Sequence, residues 1–172
     1  RVSPRMGDKV EARHAMEKAG IPVVPGSDGN LASLDEAIAL AGEIGYPVML
    51  KATSGGGGRG IRRCDSEDDL RRNYDRVLSE AAKAFGQADV FMEKCIVRPR
   101  HIEVQILADS HGNCIHLFER DCSIQRRHQK LVEIAPSPQL DESQRETLGE
   151  LAVRAAKAVH YENAGTVEFL LD

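Results

Sequence analysis

A lysine followed by a run of glycines is the most distinctive chemical pattern in this sequence. Lys51 ends a short apolar run, and the glycines that follow it are Gly55, Gly56, Gly57, Gly58 and Gly60. Glycine lets the backbone approach a ligand closely, so its N–H groups can surround phosphate oxygens while the lysine supplies a compensating charge. The alternative is a flexible surface loop, because glycine-rich segments often only connect elements. A Walker loop is excluded, since no Lys-Ser or Lys-Thr pair follows the glycines.

A second group of charged residues lies between Arg120 and Glu133. Its potential cations, in an otherwise acidic chain, are Arg120, Arg126, Arg127, His128 and Lys130. If these side chains converge, they form a local site for an anion. The alternative is a solvated basic loop, in which each side chain faces water separately.

Two further charged residues are candidates because of their positions. Glu168 lies on a predicted apolar strand, where a carboxylate needs a partner: a hard cation such as Mg²⁺ that bridges phosphates, or a lysine or arginine. Lys9 lies in the first turn of a predicted helix, where a cation opposes the helix dipole. Either Lys9 has a functional role at this position, or it is an ordinary exposed lysine. A zinc site is not expected, because no common zinc pattern matches the spacing of His111, Cys114, His116 and Cys122.

The hydrophobic pattern predicts the elements that position these residues in the first half of the chain. Asp8 with Glu11, and Ser33 with Glu36, resemble capping boxes at the start of two helices, which Gly20 and Gly45 end. A hinge or short edge strand is expected between Pro22 and Pro25. Further predicted elements are a strand ending at Lys51, strands over 61–64 and 90–96, and an amphipathic helix from Ser66. The glycine loop is then a hairpin at the edge of this unit.

Alternating residues predict strands in the second half. His101, Glu103 and Gln105 share one face of a strand whose other face is apolar. A turn over 109–113 leads to a strand over 114–120. Asp141 and Gln144 form a capping box for a last helix, and the last strand covers 165–171.

Composition limits the classes of function. The chain has 172 residues, a net charge of -4, 41% hydrophobic residues and 4% aromatic residues. The hydrophobic content is enough for a packed core. The negative net charge and the few aromatic residues argue against nucleic acid, and no apolar run reaches the roughly 20 residues that span a bilayer. We expect free thiols and a cytoplasmic protein, or one of the mitochondrial matrix or plastid, and we expect the sequence to be part of a longer chain because it starts without Met.

Seven motifs, in the same order and almost from end to end, resemble the biotin carboxylase family of ATP-grasp enzymes. They are MGDK at 6–9, PGSDG at 25–29, GYPVMLKATSGGGGRG at 45–60, MEK at 92–94, PRHIEVQ at 99–105, ERDCSIQRRHQK at 119–130 and AGTVEFL at 164–170. The resemblance extends to the biotin carboxylase domains of pyruvate carboxylase and the acyl-CoA carboxylases. It implies an α+β fold: an N-terminal helix and linker (1–22), a small ATP-grasp lid (23–96), and the first part of a larger antiparallel-sheet subdomain (97–172).

The resemblance also implies roles for single residues. Lys9 and Lys51 match lysines that contact ATP phosphates. The loop that folds over these phosphates is matched by Gly55, Gly56, Gly57 and Gly58. Glu93 and Lys94 match the segment that reads adenine through its backbone. The other matched nucleotide-site residues are Ile96 and Leu170 beside the base, His101 near the ribose, and Gln125 and His128. Lys130 matches the lysine that holds bicarbonate, and Glu168 matches a glutamate that binds Mg²⁺ or Mn²⁺.

The activity implied is the ATP- and bicarbonate-dependent carboxylation of biotin through carboxyphosphate, with biotin on a carrier and a carboxyltransferase as partner. The family's second metal-binding glutamate, catalytic arginine and catalytic base lie on a strand after residue 172. We therefore expect this chain to bind nucleotide without turnover. The alternatives are another ATP-grasp ligase, such as carbamoyl phosphate synthetase, and a non-catalytic nucleotide-binding module.

Overall fold

The computed structural model describes residues 9–53, 60–86, 89–126 and 129–172, apart from the side chains of residues 9–11 and 85. The elements in chain order are α1 (Lys9–Lys18), α2 (Leu34–Ile44), β1 (Val48–Ala52), β2 (Ile61–Cys64), α3 (Glu67–Phe85), β3 (Val90–Lys94), β4 (Arg100–Ala108), β5 (Cys114–Arg126), β6 (Gln129–Ile134), α4 (Glu142–Ala158) and β7 (Asn163–Leu171). They form two compact units, a central unit of residues 24–96 and a split unit of residues 1–23 and 97–172. None of the helices in the described ranges combines the length and apolar character that a bilayer crossing requires.

The central unit is built on an antiparallel sheet in the order β2-β1-β3. Alternate residues of β1 are buried, so Val48 and Leu50 face a core that includes residues of α2 and α3. Met49 and Lys51 therefore point to the opposite face of the sheet. Because β1 and β2 pair at the sheet edge, the predicted edge hairpin is confirmed; its glycines at 55–58 lie outside the described residues.

Capping residues fix the ends of the helices in this unit. Ser66 accepts a hydrogen bond from the Asp69 N–H at 3.3 Å, and Gly86 ends α3 in a left-handed conformation at φ 75. The Ser33 side chain caps α2 through the Glu36 N–H at 3.1 Å. The predicted reciprocal bond, in which the Ser33 N–H donates to the Glu36 side chain, is wrong, because the Glu36 carboxylate accepts from the Ala32 N–H instead, at 2.7 Å.

The split unit has an antiparallel sheet in the order β6-β5-β4-β7, with α4 packed on one face. Ile102, Val104 and Ile106 of β4 are buried against α4, which confirms the predicted apolar face. The predicted capping box at the start of α4 is also confirmed. The Gln144 N–H donates to Asp141 at 2.8 Å, and the Asp141 N–H donates to the Gln144 side chain at 3.1 Å.

The charged stretch from Arg120 to Glu133 is not a loop in the described residues. β5 continues to Arg126 and pairs with β6 from Gln129, whereas the sequence predicts a strand that stops at residue 120. Such a charge-rich strand is stable because its buried charges have partners. On the α4 side, for example, Arg145 donates to Glu119 at 2.9 Å.

Candidate active site

Lys51 of the central unit forms an ion pair with Glu93 on the sheet face that points away from the helices. The register places Lys51 opposite Phe91, so Glu93 is its diagonal neighbour on the same face of β3. The two side chains are 24% and 22% exposed, and the lysine ammonium donates to the glutamate carboxylate. The structure thus brings together two residues that the sequence predicted separately.

The segment around Lys94 is largely occupied by contacts within the central unit. The Lys94 ammonium donates to the carbonyls of Gly45 and Tyr46, at 3.0 Å each, and so caps the end of α2. Its backbone N–H donates to the Pro25 carbonyl at 2.7 Å, and the Cys95 N–H donates to Pro47 at 3.0 Å. Among the described residues, Ile96 is the first after β3 whose N–H has no backbone acceptor.

The face of the split-unit sheet opposite α4 carries a row of polar residues. In the register of β4 and β7, His101 lies opposite Leu170 and Glu103 lies opposite Glu168. Leu170 is 42% exposed and Glu103 only 6%. Two carboxylates directly opposite each other repel, so this arrangement requires a cation near both.

Lys130 of β6 supplies that cation. Its ammonium donates to Glu103 and, at 2.5 Å, to Glu168. Arg120 donates through Nε to Glu103 at 2.7 Å and through a terminal nitrogen to Gln105 at 3.2 Å. Among the predicted cations that the structure describes, Arg120 and Lys130 converge, but on carboxylates, and an anion at Lys130 competes with these carboxylates.

These contacts shift the protonation equilibria of the cluster. Burial acts to raise the pKa of Glu103, but hydrogen bonds from Lys130 and Arg120 outweigh it and hold that pKa below its usual value. Hydrogen bonds to Glu103 and Glu168 raise the pKa of Lys130. At neutral pH the lysine is therefore a fixed positive charge beside an ionised Glu103.

Other predicted residues lie apart from this cluster or outside the described residues. The Gln125 amide donates to the carbonyl of Cys122 at 3.0 Å. The side chain of Lys9, and all of Gly55, Gly56, Gly57, Gly58 and His128, lie outside the described residues.

Sequence analysis did not identify Glu103 as a site residue. The available signal was its position on the polar face of a strand whose other face is apolar. Its burial could not be foreseen, because its partners Arg120 and Lys130 lie 17 and 27 residues away along the chain.

Glu168 has the properties of one metal ligand. Its side chain is 62% exposed, and a carboxylate oxygen is a donor that Mg²⁺ prefers. The exposed Glu168 carboxylate is therefore compatible in its chemistry with the Mg²⁺ that the family resemblance implies, and in this structure it pairs with Lys130.

Comparison with known proteins shows the family of this chain. The family model "Carbamoyl-phosphate synthase L chain, ATP binding domain" matches residues 8–172. The 2-oxoglutarate carboxylase small subunit of Hydrogenobacter thermophilus is 59% identical over 97% of this chain, which spans 35% of that protein. The mitochondrial pyruvate carboxylase of Mus musculus is 57% identical over 98% of this chain, which spans 14% of it.

A solved structure gives the fold. The biotin carboxylase domain dimer of the Hydrogenobacter thermophilus 2-oxoglutarate carboxylase, in complex with MgADP, ADP and bicarbonate, matches with a TM-score of 0.90 and 59% identity. The match covers 97% of this chain and 37% of that chain, and it confirms the predicted α+β ATP-grasp fold. The chain therefore belongs to the carbamoyl-phosphate synthase L chain ATP-binding family, as part of an ATP-grasp domain of the biotin carboxylase type.

Proposed function

We propose that the protein to which this chain belongs uses ATP to activate bicarbonate and transfers the carboxyl group to biotin. The observation that carries this proposal is Lys130, a fixed cation between Glu103 and Glu168 on the polar face of the split-unit sheet. A preorganised cation of this kind stabilises charge that develops on a phosphorylated or carboxylated oxyanion. The related carboxylase domain that was solved with MgADP and bicarbonate supports the choice of substrates.

Lys130 is the residue that we assign to bicarbonate. Its ammonium is a compact charge with three donors, so it can hold an anion in place of one of its carboxylate partners. Glu168 is the partner that we expect it to exchange, because that carboxylate is far more exposed than Glu103. When Mg²⁺ is bound, it neutralises phosphate charge, and Glu168 is the ligand from this chain.

We assign nucleotide binding to Lys51, Glu93, Lys94, Ile96, His101 and Leu170, together with Lys9, Gln125, His128 and Gly55 to Gly58. Lys51 is the residue that we assign to the phosphates, and its ammonium pairs with Glu93 in this structure. The Ile96 N–H is the backbone donor for the base, since the N–H groups of Lys94 and Cys95 already have acceptors. Leu170 presents an exposed apolar side chain beside His101, as a wall for the base requires.

Calorimetric titration of Mg-ATP into the purified chain tests the nucleotide site. We expect binding that Lys51→Ala weakens tenfold or more, about 1.4 kcal/mol. Lys83→Ala is the matched control, because Lys83 is an exposed lysine of the same unit, and it should bind like the unmodified chain. If the unmodified chain is folded by circular dichroism and shows no binding, the assignment of the nucleotide site to these residues is wrong for this chain.

The name of the matching family model supports a second candidate, a ligase of the carbamoyl-phosphate synthase type. Both reactions begin with phosphorylation of bicarbonate, and they differ in the acceptor. Mass spectrometry of the protein from its native source separates them. A biotinylated lysine on the same polypeptide, or on one that copurifies with it, supports the carboxylase. An intact purified protein with no biotinylated lysine, on itself or on a copurifying polypeptide, supports the alternative.

We further propose that the parent protein works with a biotin carrier and a carboxyltransferase, and that it acts in the cytoplasm, in the matrix of mitochondria or in plastids. The relatives named as 2-oxoglutarate carboxylase and pyruvate carboxylase support this proposal.

A further inference from the structure

Three metal-ligating side chains meet on the polar face of the split-unit sheet. Glu103, Cys122 and Glu133, on three adjacent strands, each place one donor atom within 4.8 Å of the other two. Cys122 is fully buried at 0% exposure, and its thiol forms no hydrogen bond with any residue in the described ranges. An unpartnered thiol between two carboxylates is a group that a cation could satisfy.

We propose that Glu103, Cys122 and Glu133 bind one thiophilic divalent cation of the Zn²⁺ or Cd²⁺ class. Thiolate selects such cations over Mg²⁺, and carboxylate oxygens commonly complete their tetrahedral coordination, with water as the fourth ligand. A metal–sulfur bond forms as the S–H bond breaks, and the proton passes to solvent. The oxidation states of the metal and the sulfur do not change in this step.

The cations that now neutralise Glu103 each have a second partner. Lys130 also pairs with Glu168, and Arg120 also donates to Gln105. Arg120 also lies 3.6 Å from the Glu133 carboxylate, so both of its carboxylate partners are ligands of the proposed metal. With the metal bound, Lys130 keeps Glu168 as its partner, and Arg120 keeps the Gln105 amide. The metal competes with Lys130 for one carboxylate, so its binding draws Lys130 towards Glu168.

Cadmium titration of the purified chain tests the site. The Cd²⁺-thiolate charge-transfer absorption is followed in a Cys95→Ser, Cys114→Ser background, which removes the two half-buried thiols. We expect saturation at one Cd²⁺ per chain, no displacement by excess Mg²⁺, and loss of the band in Cys122→Ser. A band of unchanged affinity in Cys122→Ser, or displacement by Mg²⁺, overturns the proposal.

Substitutions at two exposed positions test the proposed metal site without changing a residue of the hydrophobic core. Glu133→Gln should weaken Cd²⁺ binding about tenfold or more, whereas Lys130→Met should strengthen it because one of the two cations that compete for Glu103 is gone. Glu142→Gln and Lys157→Met, at exposed positions of α4, should leave the affinity unchanged. If Glu133→Gln has no effect, or Lys130→Met weakens binding, the site is wrong. These titrations contain neither ATP nor bicarbonate, so their outcome is independent of the proposed carboxylation.

Discussion

Lys130 balances two carboxylates that face each other across neighbouring strands. Glu103 is buried at 6% exposure, and its negative charge is tolerated because Lys130 and Arg120 both donate to it. Removing Lys130 leaves Arg120 as the only one of these donors and restores the repulsion between Glu103 and Glu168. The lysine thus has a structural role that can be measured without any substrate.

We expect Lys130→Met to lower the free energy of unfolding by about 1–3 kcal/mol at neutral pH. The pKa of Glu103 is lowered in the folded state, so its contribution is present above its ordinary pKa of 4.5 and is lost as the pH falls through the folded value. The raised pKa of Lys130 gives a contribution that is complete below its ordinary 10.5 and lost at higher pH. The cost of the substitution should therefore stay constant from pH 7 to about pH 4.5 and shrink as the pH falls further, through the lowered pKa of Glu103.

Urea unfolding of both proteins across this pH range measures the effect. Lys157→Met, at an exposed lysine of α4, is the control and should stay within about 0.5 kcal/mol of the unmodified chain at every pH. A cost for Lys130→Met that does not change with pH would show that the ion pairs with Glu103 and Glu168 do not stabilise the fold.

At the scale of elements, α4 lies close to β5 where a glycine faces a histidine. A Cβ atom at Gly149 would lie 2.6 Å from Cε1 and Nε2 of His116. The ring is in contact with Phe118, whose N–H donates to its Nδ1 at 3.4 Å and whose ring meets it edge to face with the centroids 5.5 Å apart. Glycine here allows the close approach of the helix to the sheet.

We expect Gly149→Ala to destabilise the chain by about 1–3 kcal/mol because the added methyl group overpacks this contact. Gly42→Ala on α2 is the matched control. A Cβ there meets nothing within 4 Å, so the better helix propensity of alanine should stabilise the chain by about 0.5–1 kcal/mol. Thermal unfolding compares the two variants. Equal stabilisation by both would mean that α4 and His116 are not packed as described.

Local patterns predicted these elements well where one residue type decides the structure. Asp141 with Gln144 marked the start of α4, and the alternation from His101 identified the two faces of β4. The prediction stopped β5 too early, at Arg120, because the stability of the following charged strand depends on distant partners such as Arg100, which pairs with Asp121 at 3.5 Å. The site shows the same limit. Its matched motif residues were found from the sequence, but the burial of Glu103 depends on residues from other strands.

At the scale of the whole chain, two hydrophobic cores have no residue in common among those described. One core includes Leu50 and belongs to the central unit, and the other includes Ile106 and belongs to the split unit. The two helices within residues 24–96 pack against the core of the central unit. We therefore expect the central unit to unfold as a separate cooperative unit.

Leu50→Ala tests this separation, since Leu50 is fully buried at 0% exposure and its truncation typically costs about 2–5 kcal/mol. Hydrogen exchange followed by mass spectrometry should show faster exchange throughout β1, β2, β3, α2 and α3, while β4, β5 and β7 keep their protection. Ile106→Ala, at 1% exposure, should give the reverse pattern. If either substitution accelerates exchange equally in both sheets, the two cores fold as one cooperative unit. In that case, a ligand that binds one unit must stabilise the other unit to the same extent.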